Sequence, residues 1–215
     1  MIVSHRHQFI HAKAQKVAGT SLELALAQHC GHDDIIADAG AFDSSVDDDS
    51  YVWPTRNAEG INSHETPAEI RRRVGDEVWS RYLKVVGIRN PWDMLVSFFY
   101  WWVNDEFRPA NMASTFDRFL VWHLRSPLPS AGLQFWVMDG VLWADVYVRF
   151  ESLADDVAEL FGMLGFRFKG LPRLKTKRCA ARSHYSAYYT DRMRDVVARR
   201  YAQVIRHFGY EFERE

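Results

Sequence analysis

Gln15-Lys16-Val17-Ala18-Gly19-Thr20-Ser21 follows the short apolar run Phe9-Ile10-His11. That order predicts a strand over 8–11, a tight loop carrying a lysine, and a helix over 20–29 capped by Gly31. It is the layout of a phosphate cradle. The first backbone N–H groups of a helix have no intrahelical acceptor, and the helix dipole favours an anion beside them. Gly19 lets backbone approach closely, and Thr20 and Ser21 add hydroxyl donors. An ATP-type loop would read G-x-x-x-x-G-K-[ST]. Here Ala14 stands at the first Gly position and Thr20 at the Lys position, while Lys16 precedes Gly19 by three residues. The loop therefore suits an anionic nucleotide better than ATP with magnesium.

A second segment, Arg89-Asn90-Pro91-Trp92-Asp93-Met94-Leu95-Val96-Ser97, follows the apolar run Leu83-Lys84-Val85-Val86-Gly87-Ile88. The run reads as a buried strand, which puts Arg89 at its C-terminal end, where open α/β sheets bind ligands. Pro91 suits the first turn of a helix expected over 92–103. Ser97 would lie about two turns along, and a bent entry would bring its hydroxyl near Arg89. An arginine fork with a hydroxyl suits a second phosphate.

With both motifs in hand, the chain resembles the sulfotransferases that use 3′-phosphoadenosine-5′-phosphosulfate (PAPS), in particular the small bacterial proteins akin to carbohydrate sulfotransferases. The first motif is similar to that family's 5′-phosphosulfate loop, P-K-[TV]-[AG]-G-T-[ST], with Gln15 in place of Pro. The second is similar to its 3′-phosphate motif, R-N-P-x-x-x-x-x-S, matched by Arg89, Asn90, Pro91 and Ser97. Val148-Arg149-Phe150-Glu151-Ser152-Leu153, Tyr188-Tyr189-Thr190 and Phe208-Gly209-Tyr210-Glu211-Phe212 agree as well, so the resemblance runs from about residue 9 to 212. It implies one sulfotransferase domain over 1–215. The implied fold is a P-loop-like three-layer sandwich, an α/β fold with a central, mainly parallel sheet flanked by helices. PAPS would be co-substrate and PAP (3′-phosphoadenosine-5′-phosphate) the product, with no metal required. The resemblance implies cofactor contacts from Lys16, Val17, Ala18, Gly19, Thr20, Ser21, Arg89 and Ser97. It also implies a basic flap over the 3′-phosphate, for which Lys177, Arg178 and Arg182 are candidates. It further implies a bacterial cytoplasmic protein, since the animal Golgi members have a membrane anchor.

In sulfuryl transfer, Lys16 would neutralise charge on the leaving 5′-phosphate, while Lys13, outside the matching positions, reads as a surface lysine. A histidine or carboxylate would take the acceptor's proton. His64, just before the expected helix at Thr66, is the first choice, His184 the second and Glu65 the third. Thr66-Pro67-Ala68-Glu69 has the pattern of a capping box opening a helix through about residue 74. Ser114 or Thr115 should cap a helix over 116–124. Asp139-Gly140 should turn a hairpin between 135–138 and 141–143. A strand is expected over 146–150, a helix capped by Ser152 and ending before Gly165, and a last helix over 191–207 stopped by Gly209. The run 98–102 reads mainly as core, with Asp105 and Glu106 after it in reach of a polar acceptor. Arg149 and Glu151 read as an ion pair closing a strand or as functional groups.

Composition bounds the partners. With 47 % apolar and 14 % aromatic residues the chain is globular, and a net charge of −1 argues against a general nucleic-acid binder. No apolar run reaches the ~18–20 residues of a membrane span. Cys30 and Cys179 form neither a disulfide framework nor a metal motif and read as reduced thiols. His5, His7 and His11 share one strand face if the strand extends that far, a faint metal pattern. Seven Asp and no Lys or Arg lie in 33–49, and seven Lys or Arg and no Asp or Glu in 167–182. The polar stretch 31–62 is expected to shape the site of a small-molecule or glycan acceptor. The acceptor's identity and the oligomeric state stay open. So do two alternatives, a P-loop kinase-like phosphotransferase and a non-catalytic PAP-binding protein.

Overall fold

The computed structural model describes residues 1–37, 55–103, 115–125, 132–171 and 183–215. In chain order its elements are β1 (Ile2–Ser4), β2 (Phe9–Ala12), α1 (Gly19–Ala27), β3 (Ile35–Ile36), α2 (Pro67–Arg81), β4 (Leu83–Ile88), α3 (Pro91–Val103) and α4 (Phe116–Arg125). They continue with β5 (Val137–Met138), β6 (Val141–Leu142), β7 (Val146–Arg149), α5 (Leu153–Met163), α6 (Asp191–Arg200) and α7 (Ala202–Phe208). The chain is α/β. It divides into two compact units, Met1–Ile88 with Ser130–Lys175, and Arg89–Pro129 with Thr176–Glu215. No helix among the described residues is long and apolar enough to cross a membrane.

The first unit is built on a five-stranded sheet in the order β3-β1-β2-β4-β7. β2 pairs with β4 in parallel, and β4 with β7 in parallel. β1 pairs antiparallel with both β2 and β3. The sheet is thus mixed, where a mainly parallel one was expected. The difference comes from β1 and β3, two strands of three and two residues that carry no periodic signal. The four-residue turn 5–8 folds β1 back on β2, with Gln8 in a left-handed conformation (φ 54°). Asp34 fastens that turn. Its carboxylate accepts from Ser4 Oγ at 2.8 Å, the Arg6 N–H at 3.0 Å and the Gly31 N–H at 2.7 Å. Gly31 is therefore engaged by Asp34 and does not cap α1, whose cap is Gln28 in a right-handed conformation.

The core of this unit joins Ile2, Phe9 and Val85 from the sheet to Leu22 and Leu26 of α1 and Leu160 and Phe161 of α5, all buried. Two local expectations hold closely. Thr66 and Glu69 form the reciprocal capping box. Asp139 and Gly140, both left-handed (φ 52° and 79°), turn the β5–β6 hairpin. That combination is the two-residue turn that matches strand twist. α2 runs on to Arg81 past a kink at Gly75 (φ 79°), where the sequence suggested a stop. Ser152 precedes α5, but its hydroxyl donates to Asp156 Oδ1 at 2.7 Å and does not cap a backbone N–H.

The second unit packs α3, α4, α6 and α7 around aromatic rings. Phe98–Phe119 and Phe99–Phe116 meet edge to face, Phe99–Phe119 is tilted and Phe116–Phe119 stacked, with centroids 5.5–6.1 Å apart, the spacing such pairs prefer. Tyr100 and Tyr188 share a hydroxyl hydrogen bond at 2.6 Å, and the Tyr189 hydroxyl donates to the Trp92 carbonyl at 2.9 Å. The expected single last helix breaks at Tyr201 (φ −105°, ψ 18°) into α6 and α7, and Gly209 ends α7 in the left-handed region.

Candidate functional site

The parallel strand β2 delivers the chain into the loop 13–18, and α1 begins at Gly19. Lys16 (φ 62°) and Ala18 (φ 59°) are both left-handed, so the backbone reverses twice before the helix starts. Ala18 is the N-cap residue, and no side chain caps the first turn of α1. The leading amides of Gly19, Thr20 and Ser21 thus lack the capping acceptor that most helices supply. The loop is seated by close contact. A methyl at Gly87 of β4 would fall 2.6 Å from Val17 Cγ2, and one at Gly19 would fall 3.1 Å from Lys13 Cγ and 3.2 Å from the Ala14 carbonyl oxygen. Gly19 and Ser21 are buried, and Lys16, Ala18 and Thr20 are half-buried.

Lys13 departs from the expected surface role. It is buried, and its ammonium lies 2.5 Å from Glu23 Oε2 of α1. Glu23 also pairs with the Met1 ammonium, which donates to the Ser63 carbonyl at 2.9 Å. Burial alone would raise the Glu23 carboxyl, but the Met1 and Lys13 ammonium groups hold it down at about 2. The sequence did carry a signal for this pair. Glu23 interrupts Leu22-Glu23-Leu24-Ala25-Leu26-Ala27, and an acid on an otherwise apolar helix requires a buried cation.

His64 meets the same junction. Its Nδ1 lies 2.8 Å from the Lys13 carbonyl oxygen. A carbonyl only accepts, so the neutral ring carries its proton on Nδ1 and keeps the Nε2 lone pair. Burial, followed by the nearby Lys13 charge, lowers His64 to about 4, so it is neutral at pH 7. His11, on β2, is fully buried. Neither of its ring nitrogens has a hydrogen-bond partner among the described residues, and burial pushes it down to about 3. Glu65, the third base candidate, is buried and held by Arg73, whose Nε donates to Oε2 at 3.0 Å. That engagement is structural.

The histidine trio is not assembled. His5 and His7 lie in the β1–β2 turn. His5 bonds the Tyr82 hydroxyl at 2.9 Å and His7 the His29 carbonyl at 3.0 Å, while His11 points into the core. Among the described residues no group of three His, Cys, Asp or Glu side chains is placed to hold a metal ion. The half-buried Cys30 thiol is pushed up to about 12, chiefly by burial, which disfavours its thiolate. Arg149 pairs with Asp156, its Nε and Nη2 each 3.0 Å from a carboxylate oxygen, and not with Glu151.

In the second unit Asn90 is the N-cap of α3. Its Oδ1 accepts from the Trp92 N–H at 3.1 Å, and its Nδ2 donates to the Glu211 carbonyl at 3.1 Å. Arg89 is buried, with its Nε 2.8 Å and Nη2 2.6 Å from Asp93 Oδ2. Its expected hydroxyl partner Ser97 is buried along α3, and the two make no hydrogen bond. Asp93 stands on the first turn of α3, so the Arg89 side chain entering from just before the helix meets it before it reaches Ser97. His184 accepts from the Ser186 N–H at 3.4 Å and stands at the start of a 3-10 turn. It lines a cavity of about 570 Å³ with Thr190, Asp191, Arg194 and Arg214. Both arginines there are held on Asp191, Arg194 at 3.0 Å and Arg214 at 2.5 Å. Lys177, Arg178 and Arg182 lie outside the described residues, as do Ser114, Asp105, Glu106, Cys179 and most of the Asp-rich stretch.

Among the described residues the first unit therefore brings a helix start without a side-chain cap, a lysine in a left-handed turn and a neutral histidine with its Nε2 unengaged to a single strand end. That set can hold an anion and accept a proton. No protein-family profile matches the chain, and a search of curated proteins finds no match.

Proposed function

We propose that this chain is a PAPS-dependent sulfotransferase that moves a sulfuryl group to an acceptor hydroxyl, on a carbohydrate or glycoconjugate, by in-line transfer. The observation that carries the reading is the 13–18 loop, with left-handed Lys16 and Ala18 leading into an uncapped α1 at the end of a parallel strand. Ligands of open α/β sheets bind at that end. The three-layer P-loop-like sandwich belongs to the same proposal, supported by the parallel run β2-β4-β7. So does the bacterial cytoplasm that the resemblance implies.

In the proposed reaction the acceptor oxygen attacks sulfur. The bond between sulfur and the bridging 5′-phosphate oxygen breaks, and PAP leaves. Little covalent work falls to the protein, so catalysis rests on alignment and charge stabilisation. The amides of residues 19–21 and the Lys16 ammonium take up charge on the departing phosphate. His64 accepts the acceptor's proton at Nε2, since its Nδ1 is committed to the Lys13 carbonyl. Arg89 and Ser97, with Arg178 and Arg182, are assigned to the 3′-phosphate from the motif.

One observation favours a second reading, a kinase-like phosphotransferase: Arg89 already has a carboxylate partner in Asp93, which reduces what it offers a 3′-phosphate. Incubation of the protein with sulfur-labelled PAPS and a panel of mono- and oligosaccharides tests the first reading. Acceptor-dependent label transfer without added metal supports it. Label transfer to no acceptor, with Mg²⁺-dependent phosphate transfer from ATP, replaces it with the second.

A further inference from the structure

Resting on the sulfuryl-transfer reading above, we infer that Glu23 is a positioning residue for that reaction: through Lys13 it fixes the carbonyl that holds His64 with Nε2 presented for proton transfer. Lys13 is one residue beyond β2, so the sheet ladder does not set the orientation of its carbonyl. Its side chain does. The chain of Lys13 passes the start of α1, with Cγ near the Gly19 backbone, and ends on Glu23 one turn into the helix. Both side chains are withdrawn from water, the lysine to 3 % exposure and the glutamate to 0 %.

Removing two charges from water is costly, and a buried ion pair is weak evidence for stability in itself. The pair does impose geometry. It ties the strand end to α1 at a fixed distance, and the Lys13 carbonyl then accepts the Nδ1–H of His64 from a segment 51 residues away. A general base must offer one nitrogen in one tautomer, and a fixed carbonyl on the other nitrogen enforces that. The charged and titratable groups around His64 are Lys13, the Met1 ammonium, Glu23 and His11.

The test uses two variants of the full chain. Glu23→Gln keeps the shape and removes the charge. Lys13→Met/Glu23→Met removes both side-chain charges with nearly matched volume and avoids an unpaired buried lysine. The Met1 ammonium loses its carboxylate in both variants and keeps the Ser63 carbonyl, so the two are compared on equal terms. Long-range ¹H–¹⁵N NMR, with His64→Gln for assignment, reads the tautomer of His64. Calorimetry reads PAP affinity, and label transfer from PAPS reads turnover. The expected wild-type signal is a single Nδ1–H form that becomes a tautomer mixture in both variants. kcat should fall at least tenfold, with PAP affinity within threefold of wild type. A variant that folds, keeps the single tautomer and turns over within twofold of wild type overturns the inference. So does an equal fall of kcat and PAP affinity with the tautomer unchanged, which is the mark of a merely structural pair. Absence of transfer by the wild-type protein overturns the parent reading, and the tautomer comparison still decides whether Glu23 holds His64.

Discussion

Gly87→Ala puts a methyl where the structure has no room for one. Gly87 is inside β4, between β2 and β7, and the added carbon would lie 2.6 Å from Val17 Cγ2, 3.2 Å from Val17 Cβ and 3.3 Å from the Val17 carbonyl oxygen. Carbon atoms settle about 3.5–4.0 Å apart, so Val17 and its loop must move by roughly 1 Å. The strand resists yielding in their place, since it is laddered to β2 up to Val86 and to β7 through Gly87 and Ile88. The Gly87 carbonyl also accepts from Trp136 Nε1 at 2.9 Å. Overpacking of this kind costs about 1–3 kcal/mol, and each kcal/mol lowers the melting temperature of a chain this size by about 2–4 °C. A 1 Å displacement of a positioning loop costs about 10²-fold in rate. Urea unfolding and PAPS turnover should therefore both suffer. Val17→Ala removes Cγ2 and leaves contacts that a shift of a few tenths of an ångström relieves. In the Gly87→Ala background it should restore stability that it costs on its own, a coupling of opposite sign to additivity. An unchanged urea midpoint for Gly87→Ala, or strict additivity of the two substitutions, would refute the seating of the loop on β4.

Three further outcomes are expected. Thr66→Ala removes one half of the capping box and should cost about 1 kcal/mol in urea unfolding. His123 is lowered to about 4, first by burial and then by Arg200, from an unperturbed 6.5. Its folded-state value is depressed, so the unfolded chain binds the proton more readily. The stability His123 contributes is complete above about pH 6.5 and is lost as pH falls toward 4. His123→Phe, which keeps a ring against Phe98 and Phe119, should flatten the stability profile in that window, and an unchanged slope would contradict its burial as a neutral ring. Lys16→Ala should cut turnover more than tenfold while circular dichroism and the urea midpoint stay near wild type. Near-normal turnover would remove Lys16 from its assigned role.

Much of this architecture is legible where local chemistry and tertiary packing agree. β4 is an apolar run broken only by Lys84, with a polar exit, and it forms as the pattern demands. The capping box at Thr66 and the Asp139-Gly140 turn are set by backbone geometry that few other residues satisfy. What escapes the sequence depends on partners distant along the chain. β1 and β3 are too short for periodicity; β1 forms on the edge that β2 offers, and β3 on the edge that β1 then offers. Gly75 reads as a stop, yet α2 resumes beyond it. Lys13 reads as a surface lysine until Glu23, ten residues on, is seen as the one charge on a buried helix face. Arg89 reads as a free phosphate fork, although its spacing of four from Asp93 already announced the competing pair. The loop and His64 lie in one unit, where the structure brings them to the same strand end.

The central claim is nucleotide recognition, and calorimetric titration with PAP, using 5′-AMP and ATP–Mg²⁺ as comparators, tests it most directly. The account predicts tight PAP binding and weak AMP binding, the difference being the 3′-phosphate, with no preference for ATP–Mg²⁺. Equal affinity for PAP and AMP, or tighter binding of ATP–Mg²⁺, would contradict it.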